Sequence, residues 1–206
     1  MSKVIDYFYT HYSPWAYLGH QAFKEVADRH GVTIRQRPVD LSGVFDASGG
    51  LPLGKRHPAR QAYRFIEMQR WRDKRGLPLT FKPKFFPTPP GLCDCCAIAL
   101  AEREGPAYEF AASAFKAIWV DDQNIAESDV LAGILESLGQ DAETVLAAAQ
   151  SDEIFALYAR NQKEAIDLGV IGSPTYVLNG EPFWGQDRLD LLEDALTSGR
   201  GPYGAL

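Results

Sequence analysis

Long apolar runs are missing from this sequence, and with them any candidate for a helix across a bilayer, which needs about 20 consecutive apolar residues. Cysteine is scarce: the three that occur sit together in Cys93-Asp94-Cys95-Cys96. Thiols confined to four consecutive positions cannot supply a disulfide framework. They also lack the spacing and the nearby histidine of a usual zinc site, so no metal is expected and they read as small apolar side chains opening a helix. Basic residues do not predominate: 21 Lys and Arg against 27 Asp and Glu leave a net charge of −6, which disfavours a nucleic-acid binder. Internal repeats and low-complexity segments are absent. Met1-Ser2-Lys3 runs straight into an apolar segment with no room for a signal peptide, so a cytoplasmic protein is expected.

What is present reads in order. Val4 to Tyr9 is near-continuously apolar, as in a strand covered on both faces. A helix from Pro14 to His30 carries Trp15, Leu18, Ala22, Phe23 and Val26 at helical spacing and stops at Gly31. Val32 to Val39 is a second strand, parallel to the first through a right-handed crossover. Gly43 to Pro58, rich in Gly and Pro, reads as a loop. A helix follows over Ala59 to Arg75, its Arg and Lys residues forming a solvated face. Pro78, Pro83, Pro87, Pro89 and Pro90 keep the next stretch irregular. From Cys93 to Leu168 the pattern is helical in pieces: Cys93–Glu104, Pro106–Trp119, Glu127–Leu138, Asp141–Gln150 and Asp152–Leu168. Gly172 to Leu178 returns to strand, Asn179-Gly180 turns a hairpin, Pro182 to Trp184 runs back, and Asp187 to Leu196 closes as a helix. The tail from Thr197 reads as loose. The frame is α/β, a β-α-β/β-β-α sheet with a large all-helical insertion. The expected domains are residues 1–42 plus 170–206 for the sheet and 43–169 for the insertion.

Two stretches carry chemistry. In Tyr9-Thr10-His11-Tyr12-Ser13-Pro14-Trp15-Ala16, Ser-Pro is a strong helix start, with Ser as cap and Pro at the first helical position. It holds a hydroxyl at the positive end of a helix, where an anion or thiolate is stabilised. An isolated Ser-Pro would be a cap and nothing more. A second stretch lifts it: Gly172-Ser173-Pro174-Thr175, then Phe183-Trp184-Gly185-Gln186-Asp187-Arg188-Leu189. Asp187 alone would be a helix cap and Phe183-Trp184 plain core; only the conjunction outweighs these readings. A cis bond is expected at Ser173–Pro174. His11 reads as a pocket wall or plain loop residue, His20 and His30 as surface or helix-end residues, and Lys82 and Lys84 as solvated.

The frame is thioredoxin-like, but where that fold places Cys-x-x-Cys this chain has Ser13-Pro14-Trp15-Ala16. Both redox sulfurs are missing, which disfavours disulfide exchange. With Asp6-Tyr7-Phe8-Tyr9, Ser13-Pro14-Trp15-Ala16-Tyr17-Leu18 and Phe183-Trp184-Gly185-Gln186-Asp187-Arg188-Leu189, the sequence resembles the 2-hydroxychromene-2-carboxylate isomerases, relatives of the kappa-class glutathione transferases with a DsbA-like fold. The resemblance implies glutathione as cofactor and a small aromatic keto acid as substrate, isomerised by reversible thiolate addition. It implies that Ser13 holds the glutathione sulfur and that Ser173 and Pro174 pair with its cysteinyl part. Trp184, Gly185, Gln186 and Asp187 would hold the γ-glutamyl end. Phe45, Asp46, Lys55 and Phe85 fall near substrate-contacting positions. The family is often dimeric, so a homodimer is left open. This chain departs at Gly49-Gly50, where the family has Gly-Asn, and at Ser173, where a small apolar residue is common. The rival readings are a kappa-like glutathione transferase and a non-catalytic thioredoxin-fold binding protein.

Overall fold

A computed structural model describes residues 3–204. The strands are β1 (Val4–Tyr9), β2 (Thr33–Pro38), β3 (Thr175–Leu178) and β4 (Glu181–Trp184), in the spatial order β2-β1-β3-β4. β1 pairs parallel with β2, and antiparallel pairs join β1 to β3 and β3 to β4. α1 (Pro14–Arg29) is the crossover between the first two strands, and α9 (Leu189–Ser198) follows the hairpin. Between β2 and β3 lie α2 (Leu41–Ser48), α3 (Pro58–Arg75), α4 (Gly91–Ala101), α5 (Ala107–Trp119), α6 (Ser128–Ser137), α7 (Ala142–Ala149) and α8 (Asp152–Asp167). This is the DsbA-like thioredoxin fold with a helical insertion. No helix among the described residues is long and apolar enough to cross a membrane.

Register explains where a site can form. In β1, Phe8 stands opposite Thr175, and Thr175 stands opposite Trp184. The end of β1, the start of β3 and the end of β4 therefore meet at one end of the sheet. The turn carrying Ser13, the Ser173–Pro174 step and Gly185 emerge there side by side.

Alternation along β1 sends its side chains to two cores, as a strand covered on both faces requires. Ile5, Tyr7 and Tyr9 join a large apolar cluster with α1, α4 and α5, while Phe8 joins a smaller one with Val39, Leu41, Val44, Ala165, Val170 and Val177. Tyr7 stacks on Tyr9 at 4.4 Å and on Tyr176 at 5.5 Å, and Phe23 lies 4.4 Å from Tyr176. Such pairs contribute about 0.5–1.5 kcal/mol each beyond their buried area.

Several expectations need correction. The stretch from Gly43 to Pro58 is not all loop: Leu41–Ser48 is helical, and a 3-10 turn covers Leu53–Lys55. Asp40 caps α2 by accepting from the Ser42 N–H at 2.9 Å, and Gly49 ends it in a left-handed conformation. Gly43 lowers helix propensity inside α2, and a Cβ there would push aside the end of the Gln162 side chain on α8. The closing helix starts at Leu189, after a 3-10 turn at Gln186–Arg188. The tail is tied down through Arg200, which donates to Glu181 at 2.6 and 2.8 Å and stacks on Tyr203 at 3.7 Å.

His20 is not a surface residue. Its position on α1 turns it inward, 4% exposed and stacked on Tyr108 at 3.9 Å. Its Nε2 donates to the Tyr108 carbonyl at 3.1 Å, and Tyr108 Oη donates to the His20 carbonyl at 2.6 Å. Burial lowers the His20 pKa to about 3, so the imidazole stays neutral in the folded protein. In the unfolded chain it takes a proton near pH 6.5. Its contribution is therefore complete above that pH and is lost as pH falls toward 3. Urea titrations should show stability falling by up to about 1.4 kcal/mol per pH unit below pH 6.5 on its account. His20→Gln should flatten that slope relative to wild type; parallel slopes would mean the site is protonated without opening.

Candidate active site

Ser13 is the N-cap of α1. Its Oγ accepts from the Ala16 N–H at 3.2 Å and donates to the Ser173 carbonyl at 3.0 Å. Pro14 occupies the first helical turn. The Ser173–Pro174 bond is cis, and Phe86–Pro87 is cis as well. Ser173 Oγ accepts from the Thr10 N–H at 3.2 Å. This gives a physical reason for a hydroxyl rather than an apolar group before Pro174: it ties the β1–α1 turn to the step before β3.

A cleft of about 310 Å³ opens beside this junction, lined by Trp15, Glu67, Trp71, Ser173, Trp184, Gly185, Gln186, Asp187 and Arg188. Gly185, at φ 106°, uses a backbone conformation that side chains oppose, and its N–H bonds to the Pro174 carbonyl at 2.9 Å. Gln186 is buried and accepts from Arg75 Nη2 at 3.0 Å, while its carbonyl accepts from the same nitrogen at 3.1 Å. Asp187 is exposed at the mouth and pairs with Arg188 at 2.9 Å. Trp184 is 52% exposed and lies across Gly172, where a Cβ would meet its indole ring. The structure thus brings Ser173, Trp184, Gly185, Gln186 and Asp187 into one lining, with Ser13 and Pro174 directly behind it.

A second cleft of about 340 Å³ adjoins the first through Trp15 and Glu67, and is lined further by Arg56, Ala59, Arg60, Tyr63 and Arg64. Phe45, Asp46, Lys55 and Phe85 stand outside both linings. Asp46 and Lys55 are exposed, and Phe45 and Phe85 are half-buried. Phe45 approaches the second cleft through Arg56, whose guanidinium lies 5.8 Å over its ring. Lys84 lies 5.1 Å over Phe85.

The turn that delivers Ser13 is held from beneath by Asp94. This carboxylate is fully buried. Its Oδ1 accepts from His11 Nδ1 at 2.6 Å and from the His11 N–H at 3.1 Å; its Oδ2 accepts from Thr10 Oγ1 and Tyr158 Oη, both at 2.9 Å. The carboxylate offers only acceptors, so Nδ1 carries the imidazole proton. Asp94 lies in the first turn of α4. His11 is therefore a core residue, packed edge-on to Tyr9 at 5.2 Å and close to Phe115 at 5.2 Å. Its Nε2 is buried without a partner.

Cys93, Cys95 and Cys96 are buried and unpaired. Burial, and then their acidic or thiol neighbours, raise all three thiols, to about 12 for Cys95 and Cys96. A thiol must ionise to react. None should react with Ellman's reagent at pH 8 in the folded protein, and all three should titrate in denaturant. Replacing the three by Ala should leave turnover largely intact. Fast labelling of the native protein, or lost turnover with folding retained, would contradict this.

Comparisons place the chain among known proteins. Residues 4–197 match the family model described as a DSBA-like thioredoxin domain. The chain is 29% identical over 199 residues to a 2-hydroxychromene-2-carboxylate isomerase from Sphingobium xenophagum, covering 95% of this chain and 99% of that protein. It is 22% identical over 203 residues to glutathione S-transferase kappa 1 of Rattus norvegicus, covering 92% and 89%. A solved structure of a 2-hydroxychromene-2-carboxylate isomerase superposes with a TM-score of 0.82 at 26% identity, covering 95% of each chain.

Proposed function

The chain belongs to the DSBA-like thioredoxin domain family, and on that premise we propose that it is a glutathione-dependent isomerase of 2-hydroxychromene-2-carboxylate-type aromatic keto acids. The observation that carries the reading is the place of the Ser13 hydroxyl. It stands at the start of α1, against the Ser173–Pro174 step, where a dithiol protein of this fold would hold its attacking sulfur. The resemblance to named isomerases over nearly the whole chain supports it.

The residues present fit bound glutathione. A cleft of about 310 Å³ is lined by Ser173, Asp187 and Arg188, and the last two offer a carboxylate for an ammonium group and a guanidinium for a carboxylate. When bound, glutathione supplies a thiolate nucleophile for reversible addition to a carbon conjugated with a carbonyl, which is what cis/trans isomerisation requires. A free thiol near pKa 8.5 is only about one part in thirty ionised at neutral pH. Ser13 Oγ–H and the N-terminus of α1 both favour its charged form. The Ser173 backbone offers an edge to an extended peptide. Trp184, which lies across Gly172, would pack against the γ-glutamyl side. Phe45, Asp46, Lys55 and Phe85 are assigned to the approach of the aromatic acceptor from the side of α2 and the proline-rich stretch.

The second reading, a kappa-like glutathione transferase, is favoured by the kappa relative. Consumption of the thiol separates the two. A screen of arylidene pyruvates and hydroxychromenes should reveal turnover that requires glutathione and leaves its concentration unchanged. Stoichiometric consumption would establish the transferase, and absence of glutathione binding by calorimetry would overturn both.

A further inference from the structure

The Arg and Lys residues of α3 are expected to form a solvated face, yet Arg64 turns half-buried into a cleft, beside Arg56 and the exposed Arg60. Arg56 precedes the helix, and Arg60 and Arg64 lie at one-turn spacing along it; all three line the cleft that Trp15 shares with the glutathione candidate site. Among the described residues, none of the three is within ion-pair distance of a carboxylate. Glu67, the acidic residue in the lining, is already paired with Arg70. Arg56 spends its Nε on the Leu51 carbonyl at 2.7 Å. Arg64 is half-buried, its guanidinium 5.7 Å over Phe86 and 5.8 Å over Phe65. Phe86 in turn stacks on Tyr12, in the turn that delivers Ser13.

Two partly buried like charges, Arg56 and Arg64, without counter-ions are costly unless a ligand completes them, and the exposed Arg60 stands at the rim of the same cleft. Their mutual effect is visible in Arg64, whose pKa is lowered to about 10 by burial and then by Arg56. Guanidinium forks match a carboxylate in geometry and bind it bidentately. The walls beside them are aromatic, from Trp15 and Tyr63. A flat conjugated acid satisfies both features.

We propose that Arg60 and Arg64, with Arg56 behind them, form a carboxylate subsite that sets specificity for acids bound beside Ser13. The inference rests on the glutathione reading for its role in turnover. Two carboxylates could occupy the subsite: that of the aromatic keto acid, and the glycyl carboxylate of glutathione.

The test uses calorimetry on the wild type, Arg60→Gln, Arg64→Gln and Arg64→Lys. Each is titrated with benzylidenepyruvate and its methyl ester, and separately with glutathione and γ-glutamylcysteine, which lacks the glycine. Each Gln variant should lose about tenfold or more in affinity for one carboxylate ligand and little for its uncharged or truncated counterpart. Loss confined to benzylidenepyruvate identifies the keto acid as the occupant. Loss confined to glutathione identifies its glycyl end. Arg64→Lys should keep part of the affinity, and melting temperatures near wild type exclude misfolding. Equal effects on a ligand and its counterpart, or no effect on either pair, would overturn the proposal. If the wild type binds neither thiol peptide but distinguishes the acid from its ester through these arginines, the glutathione reading fails while the subsite stands.

Discussion

Ser13→Ala should lower glutathione-dependent turnover by about ten- to a hundredfold, because a hydrogen bond to a charged group is worth roughly 1.5–3 kcal/mol. The pKa of the bound thiol should rise by about one to two units. The α1 dipole remains, so ionisation weakens rather than vanishes. Turnover should recover partly at high pH, where the thiol ionises unaided. The same substitution removes the cap on the Ala16 N–H and the link to the Ser173 carbonyl. A stability loss of about 1 kcal/mol therefore follows on any reading and decides nothing. The deciding measurement is the ultraviolet absorbance of bound thiolate against pH in both proteins. An unchanged pKa with a lowered melting temperature would reduce Ser13 to a helix cap.

The largest loss of stability is expected at Asp94. Asp94→Ala leaves His11 Nδ1–H, the His11 N–H and the hydroxyls of Thr10 and Tyr158 without their acceptor in a site closed to water. Breaking a buried ionic network by removing one partner costs about 3–5 kcal/mol. Asp94→Asn should cost less, roughly 1.5–3 kcal/mol. Its oxygen can still accept from His11, and the two hydroxyls can rotate to accept from its amide. Urea unfolding of the two variants gives the comparison. An alanine variant as stable as wild type would show that the network is not closed to water.

Much of the frame could be read because its local signals agree with its tertiary contacts. Val4–Tyr9, the Ser-Pro helix start and the Asn179-Gly180 hairpin each follow from the residues in place. Ser173, Trp184, Gly185, Gln186 and Asp187 share one lining, with Ser13 and Pro174 behind it, because the strand register brings three segment ends together. The misses have physical causes. Asp94 was passed over beside three cysteines, although a lone carboxylate in an otherwise apolar stretch signals a buried charge that needs partners. His11 reads as a pocket wall or plain loop residue and His20 as a surface or helix-end residue because their partners, Asp94 and Tyr108, are more than 80 residues away. Arg75, which fixes Gln186, carries no local mark of that contact. The arginines of α3 have the spacing of a solvated helix face, and only packing against Trp15 and the proline-rich stretch turns them into a cleft wall.

The Ser13 hydroxyl has a single hydrogen, and in this structure the Ser173 carbonyl receives it. On the proposed reading, turning that hydrogen toward sulfur strips the carbonyl of its donor. The main-chain N–H of an extended peptide alongside Ser173 can replace it. Sulfur capture and strand-like pairing then become one exchange rather than two independent contacts. A small thiol without an amide, such as 2-mercaptoethanol, would leave the carbonyl orphaned and should bind far worse than its lost contacts alone suggest. On that reading, selectivity for a thiol carried on a peptide would arise from the valence of one oxygen atom, before any side chain of the cleft touches the ligand.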